Sequence, residues 1–291
     1  MIVLRTRFSV GERAKNLLHS GCFRKKLIAG GLLLFLHSEL GHFLMGHEFW
    51  IELSSYHLPP GSLAGVALRV GEGFEGDPVA RDRSRFESFV AIGPAGTVDL
   101  AGMEGHDPAG FVRPAEPGTY VIGYRGRPSR IDLEADRFES YLREKGLEGI
   151  IEKRASRGES LAVGREVYSR CAKAILVVGE GPPGGGGRIL GLPLEIVLET
   201  DVPGAGPSPV RFRILYRGAP LAGALVGAIR RGDPDSRIEA RSDAEGRVLL
   251  DMERPGVWLV DTVHMIEADR DAGADWESLW ASLTLERPPA R

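Results

Sequence analysis

The sequence predicts a mainly β protein built as two immunoglobulin-like β-sandwich domains, with a small helical insertion in or after the first. Three observations carry that prediction. Apolar and polar residues alternate at period two, the mark of half-buried strands: Leu192, Leu194, Ile196 and Leu198 in one run, Val210, Phe212, Ile214 and Tyr216 against Arg211, Arg213 and Arg217 in another. The 39 glycines and 19 prolines fall largely between such runs and punctuate them into short strands. Third, "DPAGFVRPAEPGTYVIGYR" at 107–125 and "DAEGRVLLDMERPGVWLVDTVH" at 243–264 share one pattern: Asp, two residues, Gly, later Pro-Gly, one residue, an aromatic and an apolar run.

Residues 1–46 read as a secretory signal. The basic trio Arg24, Lys25 and Lys26 precedes an apolar run from Leu27 to Leu36, and small residues close the segment. A membrane-spanning helix needs about 20 mainly apolar residues, and His37, Glu39 and His42 interrupt the run first, so no permanent span is expected after processing. A cut after Gly46 makes His47 the first residue of the exported chain; a cut after Gly41 makes His42 the first. Seven of the 37 Lys and Arg and two of the 40 Asp and Glu lie in residues 1–46, so residues 47–291 carry 30 − 38 = −8. That surface repels nucleic acid and favours cations as small partners.

Residues 47–178 form the expected N-terminal sandwich, with strands near 48–53, 63–70, 86–92, 110–113 and 119–124. A helical insertion is expected near 134–157. Phe138, Tyr141 and Leu142, then Leu147, Ile150 and Ile151, recur at helical spacing, and Gly146 can cap the first helix. "REVYSRCAKAILVVG" at 165–179 reads as a returning strand. "GEGPPGGGG" opens a linker or long loop over 179–189. Residues 190–291 form the C-terminal immunoglobulin-like domain, with further strands near 222–230, 236–240, 247–250, 257–264 and 278–285. Each copy of the repeated pattern is expected to be a hairpin, with positive φ at the Gly of Asp-x-x-Gly.

Several motifs fail on their context. "GEGFEG" at 71–76 matches a dinucleotide-binding spacing, yet no apolar helical stripe follows it, so a mobile loop is expected. His47-Glu48 begins like a zinc-protease helix, but Ile51 stands where the second histidine belongs. Cys22 leaves with the signal, which makes Cys171 a lone cysteine: a small buried hydrophobe, with a metal-ligand thiolate as the other reading. Trp276 and Trp280 share a strand face that fills or rims a core, with a sugar platform as the alternative.

What remains is His47. A terminal histidine chelates one ion through its amine and imidazole, and nitrogen donors of this kind suit Cu(II), Ni(II) and Co(II). His264, in "WLVDTVHMIEAD", is the most attractive second ligand, ahead of His57 and His106, which lie in Pro/Gly-rich turns.

"HEFWIEL" directly after a signal, "RVGEGFEGDPVARD", "PGTYVIGYR", "REVYSRCAKA", "GLPLEIV", "VHM" and "DWESLWASLTLE" together resemble a secreted bacterial family, domain of unknown function 4198, often described as a periplasmic nickel- or cobalt-uptake component. The resemblance implies a periplasmic two-domain β protein without established catalysis, and a nickel or cobalt ion as ligand. It places His47, Cys171 and His264 in characteristic motifs and makes an inner- or outer-membrane metal transporter the expected partner. The expectation is therefore a non-enzymatic metal-binding accessory protein. A carbohydrate-binding or structural module and a terminal-histidine copper enzyme are the alternatives.

Overall fold

The computed structural model describes residues 47–180, 184–200 and 209–289; the expected signal segment, with Cys22 and both cut sites, lies outside the described residues. The first half contains β1 (Glu48–Leu53), β2 (His57–Leu58), β3 (Ala64–Glu72), β4 (Glu75–Val79), β5 (Phe86–Gly93), β6 (Gly96–Asp99), β7 (Gly110–Val112), β8 (Gly118–Gly126) and β9 (Ser129–Leu133). Helices α1 (Ala135–Glu144) and α2 (Glu148–Ser156) follow, and β10 (Gly164–Val178) returns. The second half contains β11 (Leu194–Leu198), β12 (Val210–Tyr216), β13 (Ala219–Pro220), β14 (Leu225–Arg230), β15 (Asp233–Arg241), β16 (Arg247–Leu250), β17 (Gly256–Glu267) and β18 (Trp276–Arg287). The described residues are mainly β, with two α-helices and packed sheets of the β-sandwich kind.

A ten-stranded sheet runs in the order β15-β14-β17-β18-β10-β8-β5-β6, with β2 and β9 also paired to β10. Two four-stranded sheets pack on it. One runs β1-β3-β4 with β7 on β3, the other β11-β12-β13 with β16 on β12. Alternation along β10 assigns their sides: Ala172, Ala174 and Leu176 enter the first core with Phe49, Ile51 and Val66, whereas Cys171 and Ile175 enter the second with Ile196, Phe212 and Val248. The small sheets therefore cover opposite faces of the large one. The two expected sandwiches are present as two cores, and one sheet is common to both.

Helices α1 and α2 lie within the expected insertion. Phe138, Tyr141 and Leu142 bury one stripe of α1 against Trp276 and Met265. The helix ends where Gly146 adopts φ 65°: Gly146 N–H donates to the Arg143 carbonyl at 3.1 Å and Leu147 N–H to Leu142 at 2.8 Å, the two bonds of a Schellman cap. Segment 188–192 is pinned down. Glu195 accepts the N–H groups of Leu190, Gly191 and Leu192 at 2.7, 3.0 and 3.1 Å, and pairs at 2.9 Å with the buried Lys173 ammonium.

Two expectations are corrected. "GEGFEG" is a tight β3–β4 hairpin rather than a mobile loop, with Gly73 and Phe74 both at positive φ (61° and 65°) in its turn. The repeated pattern does not make hairpins. β7 pairs with β3 in a small sheet while the following β8 joins the large one, and β16 pairs with β12 while β17 joins the large sheet, so each copy arches between layers. Gly118 and Gly256 take φ 142° and 128° at equivalent places. Two residues later, Tyr120 Oη donates to the Glu116 carbonyl and Trp258 Nε1 to the Arg254 carbonyl, each at 3.0 Å and each four residues back. Of the two Asp-x-x-Gly turns, positive φ occurs at Gly246 alone.

Candidate metal centre

The candidate centre is at the start of β1. Antiparallel pairing of β1 with β3 sets Glu48 opposite Gly71, which brings the preceding His47 to Glu72 at the end of β3. His47 Nδ1 lies 3.0 Å from Glu72 Oε1. The histidine side chain is 18% exposed and the carboxylate 72% exposed. Nδ1 is screened from solvent and has no aligned hydrogen-bond partner among the described residues, although the carboxylate is at salt-bridge distance. A carboxylate this close favours the tautomer with its proton on Nδ1, so a metal ion would have to take that proton's place.

The hairpin beneath Glu72 is built to stay put. Phe74 is buried and meets Trp50 edge-on, with ring centroids 5.4 Å apart. Gly71 and Gly76 face one another, and a Cβ on Gly76 would stand 2.6 Å from the Trp50 ring. The glycine spacing that resembles a nucleotide loop thus serves close packing under a tryptophan.

Next to His47, Glu48 starts a buried ionic group. Its Oε1 is 3.0 Å from Lys145 Nζ, which also pairs with Glu144 at 2.8 Å and lies 5.6 Å from the Trp280 ring centre. Asp261 pairs with Arg237 at 3.2 Å. Burial pushes the Glu48 carboxyl up; burial opposes protonation of Lys145, but the Glu48 and Asp261 carboxylates override it and hold the ammonium above its usual range.

Cys171 and His264 lie elsewhere. Cys171 is 2% exposed in the second core, and burial pushes its thiol up to about 11, which disfavours the thiolate a metal requires. His264 packs its ring 4.5 Å from that of Tyr216, on the face of the large sheet that Trp258 and Val260 turn toward the second core. Burial, then the Arg217 charge, lowers its pKa. The β1–β3 sheet bearing His47 covers the opposite face. The fold therefore brings His47 to Glu72 and separates both from His264 and Cys171.

His57 Nδ1 is 2.8 Å from Glu286 Oε2, and His106 Nδ1 is 2.8 Å from the Glu104 carbonyl. Trp276 is buried under α1, and Trp280 stacks on Tyr141 at 5.4 Å, so the pair fills a core. Among the described residues no three His, Cys, Asp or Glu side chains cluster as a metal cage, and no helix is long and apolar enough to cross a membrane. Glu72 is the residue that sequence reasoning missed. The signal was there: Gly71 and Gly76 flank a Glu72–Glu75 pair that closes on the two-residue turn Gly73-Phe74, which fixes the hairpin and the end of β3.

A family model described as "Domain of unknown function (DUF4198)" matches residues 44–266. No curated protein matches. A solved chain described as "D0-D1 domain of Intimin" aligns at 12% identity over 83% of this chain and 98% of its own, with a TM-score of 0.21, too low to carry argument.

Proposed function

The chain belongs to the DUF4198 family, and from that premise, which assigns no activity, we propose that it is an exported, non-enzymatic protein that binds one divalent transition-metal ion where its first strand begins. His47 supplies Nδ1 and, after cleavage behind Gly46, its own amine; Glu72 supplies a carboxylate oxygen. The observation that supports this reading is the 3.0 Å approach of His47 Nδ1 to Glu72 Oε1 with the nitrogen screened and unaligned for hydrogen bonding. Two donors bound to one ion at about 2.0–2.2 Å and at a right angle stand about 3 Å apart. Glu72 replaces His264 as the third donor because the large sheet separates the two histidines.

Two nitrogens and one oxygen suit Cu(II), Ni(II) and Co(II), with copper bound tightest by the usual order. An open coordination position and an exposed carboxylate suit an ion that is to be handed on, which makes a periplasmic carrier serving a membrane transporter the fitting role. Binding must displace the proton from both nitrogens, so affinity falls as the solution is acidified.

The test begins with the exported protein, its first residue established by mass spectrometry, followed by calorimetric titration with Ni(II), Co(II) and Cu(II). One ion per chain is expected. His47→Ala and Glu72→Gln should each weaken binding at least about tenfold, equivalent to ~1.4 kcal/mol, and a form retaining Gly46 should lose the chelate. Equal uptake by the Gly46-retaining form would overturn the assignment.

A further inference from the structure

We propose that the outer face of the β11–β12–β16 sheet is a docking groove for an extended acidic peptide segment. The groove has a volume of about 1020 Å³. Four arginines line it, Arg211, Arg213, Arg241 and Arg247, against two carboxylates, Glu199 and Asp243. Arg241, on the neighbouring β15, is already paired with Glu148 at 2.6 Å, so the lining is positive by one charge on a chain whose residues 47–291 carry −8.

The arginines are placed at a cost. Arg213 and Arg247 stand directly opposite one another on β12 and β16, an arrangement that like charges disfavour in a strand pair. They share a single counter-charge: Glu199 lies 3.1 Å from Arg213 Nε and 3.2 Å from Arg247 Nε. Asp243 is already engaged, its Oδ1 accepting the N–H groups of Glu245 and Arg247 at 3.0 and 2.7 Å. Arg211 is exposed and forms no ion pair among the described residues. An incoming carboxylate would relieve the repulsion, and guanidinium forks match carboxylates in geometry.

Leu249, 51% exposed, sits opposite Arg211, and Ile189 is 62% exposed at the rim. An extended peptide laid along this face turns every second side chain to the sheet, so acids at alternate positions of it meet Arg211, Arg213 and Arg247 while the intervening side chains point away. The described lining contains no aromatic ring on which a sugar or base could stack.

The experiment uses the full exported chain and a fluorescein-labelled peptide of alternating Glu and Val, followed by anisotropy, with a Gln-Val peptide and polygalacturonate as comparison arms. The Glu-Val peptide should bind, more weakly as salt rises, and the Gln-Val peptide should not. Arg211→Glu with Arg247→Glu should weaken binding at least tenfold with the thermal transition unmoved. If that variant unfolds, Arg211→Gln with Arg247→Gln carries the same expectation. No binding of the Glu-Val peptide, equal binding of both peptides, undiminished binding by the folded variant, or binding of polygalacturonate alone overturns the proposal.

Discussion

Glu166 on β10 is 3% exposed beneath α1 and accepts from the Ser278 hydroxyl and, at 3.4 Å, from the Tyr141 hydroxyl. Burial pushes its carboxyl up to about 7, against an ordinary 4.5. Between those values the folded chain keeps a proton that the unfolded chain has released, so stability falls as pH rises through the window. At about 1.4 kcal/mol per unit, the total is about 3 kcal/mol. Urea unfolding of the parent and Glu166→Gln at intervals from pH 4.5 to 7.5 should show their difference growing in favour of the variant, then levelling. A flat difference would remove the buried ionisation from the account. Residue identity alone did not announce this group, because "REVYSR" reads as an ordinary returning strand and its cover, α1 with Ser278 of β18, comes from elsewhere in the chain. The candidate centre divides in the same way: His47 as a prospective chain start is legible from the signal pattern, whereas its approach to Glu72 depends on the β1–β3 register.

At the scale of elements, the sequence pattern locates strands well and their partners poorly. The edges of β1, β5, β10 and β12 fall close to the strands expected near 48–53, 86–92, 165–179 and 210–216, and in β5 and β12 burial largely alternates, a local property of a pleated strand. Which sheet a strand joins depends on neighbours distant in the chain, and for that reason the two Pro-Gly motifs read as hairpins although both are arches. Their shared geometry makes a prediction. The Tyr120 hydroxyl ties the first arch to Glu116, so Tyr120→Phe should cost about 1 kcal/mol. Gly118→Ala should cost more, about 1–3 kcal/mol, because φ is 142° and the new Cβ would stand 2.8 Å from Pro94 Cγ. Denaturant midpoints in that order support the arch as a fastened corner; a neutral Gly118→Ala refutes it.

The whole molecule is governed by β10. Its parallel pairing with β18, from Glu166 opposite Trp276 to Ala174 opposite Thr284, joins strands from the two halves, and its two faces feed separate cores. Sequence reading assigns 47–178 and 190–291 to separate sandwiches because each holds a complete set of alternating strands; the shared strand is invisible to local periodicity. Removing the second half would expose one face and one edge of β10, and removing the first would take β10 away from β18, which couples the cores mechanically. Ile122, fully buried in the first core, and Leu283, fully buried in the second, provide the test. Each truncation to alanine should cost about 2–5 kcal/mol. In differential scanning calorimetry both should displace one common transition whose calorimetric and van't Hoff enthalpies agree. Cores that melt independently would instead give two transitions, each moved by only one of the substitutions, and the large sheet would then be a contact between domains rather than the element that unites them.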